Sequence, residues 1–226
     1  MKTADLVLEG NWASHAADFP SHCFGRTMGI YSRIVFPQLC DLAMRRPEMA
    51  QLRSELLADV GGEVLEIGFG TGLNLEHYPG HVRRLFAIDP SVGMGRLGRR
   101  RIARSAVEVD HQIAGAENLP FEDECFDTVV TTWTLCSIPE VRRALSEVYR
   151  VLKPGGRFLF LEHGLNDDPR VRRWQRRLTP IHRVLADGCR LDLDVEAVVR
   201  SQPFREVEVD RFLLEGTNRL LGSMSK

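Results

Sequence analysis

Three glycines at alternate positions, Gly68, Gly70 and Gly72, constrain this chain more than anything else in it. They follow Val64-Leu65-Glu66-Ile67, an apolar run carrying one acid, and Phe69 and Thr71 stand between them. A short run of this kind reads as a strand buried on both faces of a parallel sheet. Residues 71–79 then read as a short helix. Glycine adopts backbone angles that other residues avoid and puts no Cβ between the chain and a ligand. In open parallel sheets the first strand-to-helix turn is where nucleotides bind.

Spacing argues against two familiar occupants. A dinucleotide fingerprint needs glycine at 73, counted from Gly68, or at 75, counted from Gly70, and those positions hold Leu73 and Leu75. No Gly-Lys-Ser/Thr ending follows, so the turn is not a phosphate-cradling P-loop. It suits an adenosine ligand without phosphates, and a nicotinamide oxidoreductase is disfavoured.

With 226 residues the chain has the length of one domain. We divide it into an N-terminal extension and helical cap, 1–58, and a core, 59–226. Basic and acidic residues nearly cancel, leaving a net charge of −1, so no global field draws nucleic acid. Cys23, Cys40, Cys125, Cys136 and Cys189 are scattered and never form a C-x-x-C pair, which argues for reduced thiols and a cytoplasmic setting. No zinc-type spacing appears and no metal is expected; His15 with His22-Cys23 is the nearest fragment. No apolar run reaches transmembrane length, and the N-terminus lacks a charged-then-apolar signal.

Residues 1–25 show no clear periodicity. Apolar residues then recur at helical spacing through Ile30, Ile34, Val35, Leu39 and Leu42, with Pro37 expected to interrupt the helix. Pro47 opens a second helix. Residues 84–89 read as a second buried strand ending in Asp89, followed by Pro90, Ser91 and a helix to about Arg104 whose arginines form a solvated face. Further strands are expected at 107–113, up to Thr132, and at 157–163, with a turn at 152–156. Ser137 is expected to cap a helix carrying Pro139 in its first turn. Val171, Trp174, Leu178, Ile181 and Leu185 stripe a later helix among arginines. That stripe reads as core, with contact to an anionic membrane surface as the alternative. Residues 195–200 read as helix, and Val207 with Val209, then 220–224, as the last strands.

The run Glu66-x-Gly68-x-Gly70-x-Gly72 resembles the first motif of class I S-adenosylmethionine-dependent methyltransferases. Residues 116–121 (AENLPF) with Phe126-Asp127, and 152–156 (LKPGG), resemble the later motifs of the type 11 and ubiquinone-biosynthesis-like members. A narrower resemblance runs to the branch containing the membrane-associated alkyl thiol methyltransferases. It rests on the stretch ending at Pro79 and on 135–137, 161–163 and 187–189. The chain departs at Gly115, where many members carry aspartate, and in lacking an N-terminal hydrophobic anchor.

The resemblance implies an α/β, Rossmann-like, doubly wound and mostly parallel seven-stranded sheet, with helices on both faces and an N-terminal helical cap. It implies S-adenosylmethionine as cofactor, with Glu66, Gly68, Phe69, Gly70 and Gly72 around the methionine end. Asp89 with Pro90 would serve the ribose, Ala116 and Glu117 the adenine, and Thr132, Trp133 and Thr134 would border the reacting methyl. A carboxylate ending the second strand can also be read directly as a partner for both ribose hydroxyls. Methyl transfer from a sulfonium is an in-line displacement, so the protein positions two reactants and removes a proton where the nucleophile carries one. His163, ending the fifth strand, is the candidate to deprotonate or position the acceptor. Leu135 precedes Cys136 where a cytosine C5 enzyme needs proline, so Cys136 reads as a buried small residue. No Asn/Asp-Pro-Pro-Tyr follows the fourth strand, which disfavours base or amide N-methylation. The acceptor is expected to be a small molecule: a thiol, a lipid headgroup or a quinone-like ring. A non-catalytic S-adenosylmethionine-binding protein is the alternative.

Overall fold

The computed structural model describes residue 29 and residues 31–214 and 217–226. Residues 1–25, with His15, His22 and Cys23, and Ile30 lie outside the described residues. The strands are β1 (Val64–Ile67), β2 (Arg84–Ile88), β3 (Glu108–Gln112), β4 (Phe126–Thr132), β5 (Leu152–His163), β6 (Arg205–Leu214) and β7 (Thr217–Ser225). They form one sheet in the order β3-β2-β1-β4-β5-β7-β6. Strands β1 to β5 are mutually parallel, and β7 runs antiparallel between β5 and β6. The chain winds outward from β1 in one direction to β3, then returns to the other side of β1 with β4. The carboxyl ends of β1 and β4 therefore meet at a topological switch point, where such sheets open a crevice.

The helices are α1 (Phe36–Met44), α2 (Pro47–Leu57), α3 (Val92–Ile102), α4 (Val141–Val151), α5 (Pro169–Leu185) and α6 (Val195–Arg200). Alternation along the central strands builds two cores. Leu65 and Ile67 pack with Phe158, Phe160 and the apolar face of α4. Val64 packs on the other side with Leu159, Leu161 and Leu57 of α2. A doubly wound sheet with both faces covered follows from strands this apolar.

Several local expectations need correction. The helix expected over 71–79 shrinks to a 3-10 turn, Leu73–Glu76, because Gly72 precedes it in the left-handed region at φ +76°. Ser137 does not cap the next helix; it ends a 3-10 turn, Leu135–Ser137. Pro139 forces Ile138 into an extended conformation, so α4 starts only at Val141. The turn expected at 152–156 is taken into β5 as an irregularity: Leu152 pairs with Phe126, Arg157 pairs with Thr128, and the residues between loop out. Pro37 stands in the first turn of α1, directly after a π-helical turn, Tyr31–Val35.

Two faces also differ from expectation. Arg101 is not on a solvated face of α3; it pairs with buried Asp41 at 2.8 Å. The stripe on α5 is not core: Trp174 is 59% exposed and Ile181 61%. The buried side of α5 is polar instead. Gln175 accepts from Asn166 N at 2.9 Å and donates to Gly164 O at 3.2 Å. It satisfies the backbone where the chain leaves β5, and that requirement sets the helix rotation. No described helix is long and apolar enough to cross a membrane.

Candidate active site

Gly68, Gly70 and Gly72 all have positive φ, at +77°, +57° and +76°. Backbone bonds from Gly68 N and Phe69 N to Ile88 O, 2.9 and 3.1 Å, pin the turn to the end of β2. A Cβ on Gly68 would collide with the Thr134 side chain, whereas one on Gly70 would meet nothing closer than Gly68 O at 3.8 Å. The turn is thus packed on one side and free of protein beside Gly70. Thr71 Oγ1 donates to Asp41 Oδ1 at 2.6 Å, and Arg101 Nη1 donates to Thr71 O at 2.7 Å.

Asp89 is buried at the end of β2. It accepts from Gly70 N and Ser91 N, each at 2.7 Å. Burial raises its pKa, the two N–H donors oppose that rise, and the Asp187 carboxylate adds to it. Asp187 belongs to the loop between α5 and α6 and has a positive φ of +47°. The cleft is therefore bordered from the far end of the sequence. On the other flank Ala116 is buried, and a Cβ at Gly115 would lie 3.0 Å from Glu117 Oε2. A larger residue at 115 would compete with Glu117 for that space.

Glu66 is fully buried, and burial pushes its pKa up to about 7. Tyr78 donates to Oε2 at 2.8 Å, and Asn74 Nδ2 donates to Oε1 at 3.0 Å and to Thr132 Oγ1 at 3.1 Å. The Arg53 guanidinium stacks 4.7 Å over the Trp133 ring. Trp133 itself is held at a positive φ of +50°, a conformation that costs a non-glycine residue about 1–3 kcal/mol.

At the ends of β4 and β5, Glu162 Oε1 accepts from Thr134 N and Leu135 N at 2.8 and 2.9 Å. Burial pushes this carboxyl to about 7 as well. His163 Nε2 lies 3.1 Å from Cys189 Sγ, which lies 3.4 Å from Cys136 Sγ. Burial alone would lower the His163 pKa, but the neighbouring Cys136 sulfur and Glu162 carboxylate hold it above its ordinary value.

Residues 65–160 match the methyltransferase domain family. The chain carries a methyltransferase domain. Thiol S-methyltransferase TMT1B of Rattus norvegicus is 33% identical over 155 residues, 65% of this chain and 62% of that protein. A demethylmenaquinone methyltransferase of Clavibacter sepedonicus is 35% identical over 175 residues, 76% of this chain and 66% of that protein. The chain thus spans roughly two thirds or less of the length of these relatives. In fold it is similar to an S-adenosylmethionine-dependent methyltransferase of Thermotoga maritima, with a TM-score of 0.64 at 23% identity, covering 88% of this chain and all of the other.

The cofactor of this fold is S-adenosylmethionine, and the methyltransferase domain has buried atoms that suit its amino-acid end. Arg53 Nε, Asn74 Oδ1 and Trp133 Nε1 are buried without a partner among the described residues. Asn74 Oδ1 would accept from an ammonium, and the Arg53 and Trp133 N–H groups would donate to a carboxylate. Left unmade, such bonds cost about 1–3 kcal/mol each. Of the sequence-derived residues, the fold gathers Glu66, Gly68, Phe69, Gly70, Gly72, Asp89, Pro90, Thr132, Trp133 and Thr134 around the β1–β4 switch point. Ala116 and Glu117 lie on the adjoining flank. His163 stands at the β5 end, against sulfur. Sequence reasoning missed Arg53, Asn74, Asp41 and Asp187. Asn74 lies within the stretch that carried the resemblance and Asp187 within 187–189, so both were open to discovery; Arg53 and Asp41 sit on ordinary-looking helices with no signal of their own.

Proposed function

We propose that this protein transfers the methyl group of S-adenosylmethionine to a small thiol, releasing S-adenosylhomocysteine and a thioether. The observation that supports this best is the junction at Thr134. Its side chain packs on the glycine turn, and its backbone N–H is held by Glu162, one residue before His163. A cofactor half and an acceptor half thus share one segment. The bound cofactor supplies a methyl group already activated by its sulfonium.

The residues divide the work. Asp89 accepts from the ribose hydroxyls, and Glu66 fixes Asn74 so that its carbonyl faces the ammonium. Thr132, Trp133 and Thr134 border the methyl. His163 deprotonates or positions the acceptor. The named activity of the rat relative favours a thiol over other acceptors. A quinone-like ring is the second reading, supported by the Clavibacter relative, which covers more of this chain.

The test is S-adenosylhomocysteine release in the presence of small alkyl thiols and, separately, of hydroquinones. Release with thiols, depressed in His163→Asn while S-adenosylmethionine binding persists, supports the proposal. Release only with hydroquinones selects the second reading. Cofactor binding with no release from any acceptor would make the chain a non-catalytic binder.

A further inference from the structure

The sequence shows no metal-type spacing, yet the fold brings three soft donors together. Cys136 comes from the 3-10 turn after β4, His163 from the last position of β5, and Cys189 from the loop after α5. Their ligand atoms, Sγ, a ring nitrogen and Sγ, all lie within 4.8 Å of one another. His163 Nε2 lies 3.1 Å from Cys189 Sγ, and Cys189 Sγ lies 3.4 Å from Cys136 Sγ. Tetrahedral zinc with bonds of about 2.3 Å to sulfur and about 2.0–2.1 Å to nitrogen holds such donors roughly 3.5–3.8 Å apart. Those two pairs need only a few tenths of an ångström of spreading to take an ion, and the third, Cys136 to His163, lies within 4.8 Å.

We propose that Cys136, His163 and Cys189 bind one zinc ion, and that the sulfur of the thiol acceptor takes its fourth position. The assignment rests on the thiol-methylation reading above. Three protein ligands drawn from two cysteines and one histidine, with one position left for substrate, make a recognised pattern for a working zinc site.

The donors are held in place independently. The Cys136 turn hangs from Glu162 through the N–H groups of Thr134 and Leu135. Arg190 clamps the Cys189 loop to that turn: its backbone N–H donates to Cys136 O at 3.0 Å, and its guanidinium donates to Cys136 O at 3.4 Å and Ile138 O at 3.2 Å. Cys189 N is fixed by Ala186 O at 3.0 Å. His163 is held in the ladder opposite Arg219. Cys136 is buried, whereas His163 and Cys189 are half-buried. It also adjoins the cofactor half. Cys136 Sγ lies 3.8 Å from Trp133 O, and Thr134 between them is the residue packed on Gly68.

The proton and electron balance is simple. Zinc binding releases one proton from each cysteine thiol, and the two thiolates neutralise the dication. With His163 bound to the ion, its role in the thiol reading is to position the acceptor rather than to deprotonate it, and the acceptor thiol loses its proton to water on joining the ion. Its sulfur lone pair then forms the new S–CH3 bond, the methyl C–S bond of the sulfonium breaks, and that pair returns to the cofactor sulfur. The neutral thioether product is a weaker ligand than the thiolate and leaves.

The test uses the full chain, reduced and handled without oxygen, titrated with zinc against a chromophoric chelator and with cobalt(II) as a spectroscopic substitute. The expected result is one ion per chain, with sulfur-to-cobalt charge-transfer absorption and a ligand-field change on adding a small alkyl thiol. Cys136→Ser and Cys189→Ser should each weaken binding by more than about 100-fold, beyond what outer-shell changes cause. S-adenosylmethionine affinity should stay within about two-fold, which shows that the variants fold. No stoichiometric ion in the reduced protein, wild-type affinity in either serine variant, or a cobalt spectrum indifferent to thiol each overturns the proposal. So does full thiol methylation by the chelated chain with Cys136 and Cys189 as free thiols or as a disulfide, and in that case the thiol reading survives. A cobalt site that takes up thiol in a chain that never releases S-adenosylhomocysteine upholds the ion site and removes the methylation reading.

Discussion

Thr71 Oγ1 and Asp41 Oδ1 share a buried hydrogen bond of 2.6 Å that joins the N-terminal helix α1 to the glycine turn. Arg101 closes the triangle, pairing with Asp41 at 2.8 Å and donating to Thr71 O at 2.7 Å. The cap is therefore fastened to the cofactor site by charge. Burial works to raise the Asp41 pKa, but the hydrogen bonds from Arg101 and Thr71 outweigh it and hold the carboxyl below the usual range.

Asp41→Asn should lower stability by about 3 kcal/mol, since it leaves Arg101 short of its partner in a mostly buried setting. A depressed carboxylate stabilises the fold above its unfolded pKa and loses that contribution as pH falls through the folded pKa. The gap between wild type and variant in denaturant melts should thus be full near pH 7 and shrink below about pH 4. S-adenosylmethionine affinity should fall several-fold as well, read by calorimetric titration.

Gly68→Ala should be destabilised twice over, by its φ of +77° and by collision with Thr134. Pairing it with Thr134→Ala should recover only part of the loss. The Thr134 Cβ remains 2.8 Å from the new methyl, and the backbone strain is untouched. A double-mutant cycle in chemical denaturation should show a favourable coupling between the two sites of about 0.5–3 kcal/mol.

The central sheet and the glycine turn were legible because both write themselves into local sequence. Val64-Leu65-Glu66-Ile67 announces a buried strand, and glycine at 68, 70 and 72 answers to positive φ. Asp89 was legible because the end of β2 lies at a fixed distance from that turn. Contacts between distant segments left no such trace. Arg53 on Trp133, Asp187 near Asp89 and the Cys136–His163–Cys189 cluster depend on how helices and loops fold over the sheet. The stripe on α5 misled for a related reason: helical periodicity says that one face differs from the other, and the need to satisfy Gly164 and Asn166 decided which face turned inward.

Asp89→Ala should reduce S-adenosylmethionine affinity at least ~10-fold. The change removes the carboxylate proposed to accept from the ribose and also frees Gly70 N and Ser91 N, loosening the turn. Titration of the variant alongside a circular dichroism spectrum checks this. Wild-type affinity in a folded variant would exclude Asp89 from cofactor binding.

Glu162→Gln should change how stability depends on pH. The wild-type carboxyl is raised to about 7, so the folded protein binds more protons than the unfolded chain between about pH 4.5 and 7. Its contribution to stability is fully present at the acid end of that window and is lost as pH rises through it. Glutamine keeps an oxygen for Thr134 N and Leu135 N and has no charge to bury. Melts at pH 5 and pH 8 should show the variant losing less stability across the interval, by about 2–3 kcal/mol.

The boundary of the family match carries a consequence for how such proteins diversify. The matched segment ends at residue 160, just short of Glu162 and His163 and well before Cys189. The glycine turn and Asp89 lie inside that segment, Arg53 and Asp41 precede it, and the two Glu162 bonds and the Arg190 clamp stand at or beyond its far margin. On the division of labour proposed above, a change of acceptor would call for new residues at that margin and would leave the glycine turn as it stands.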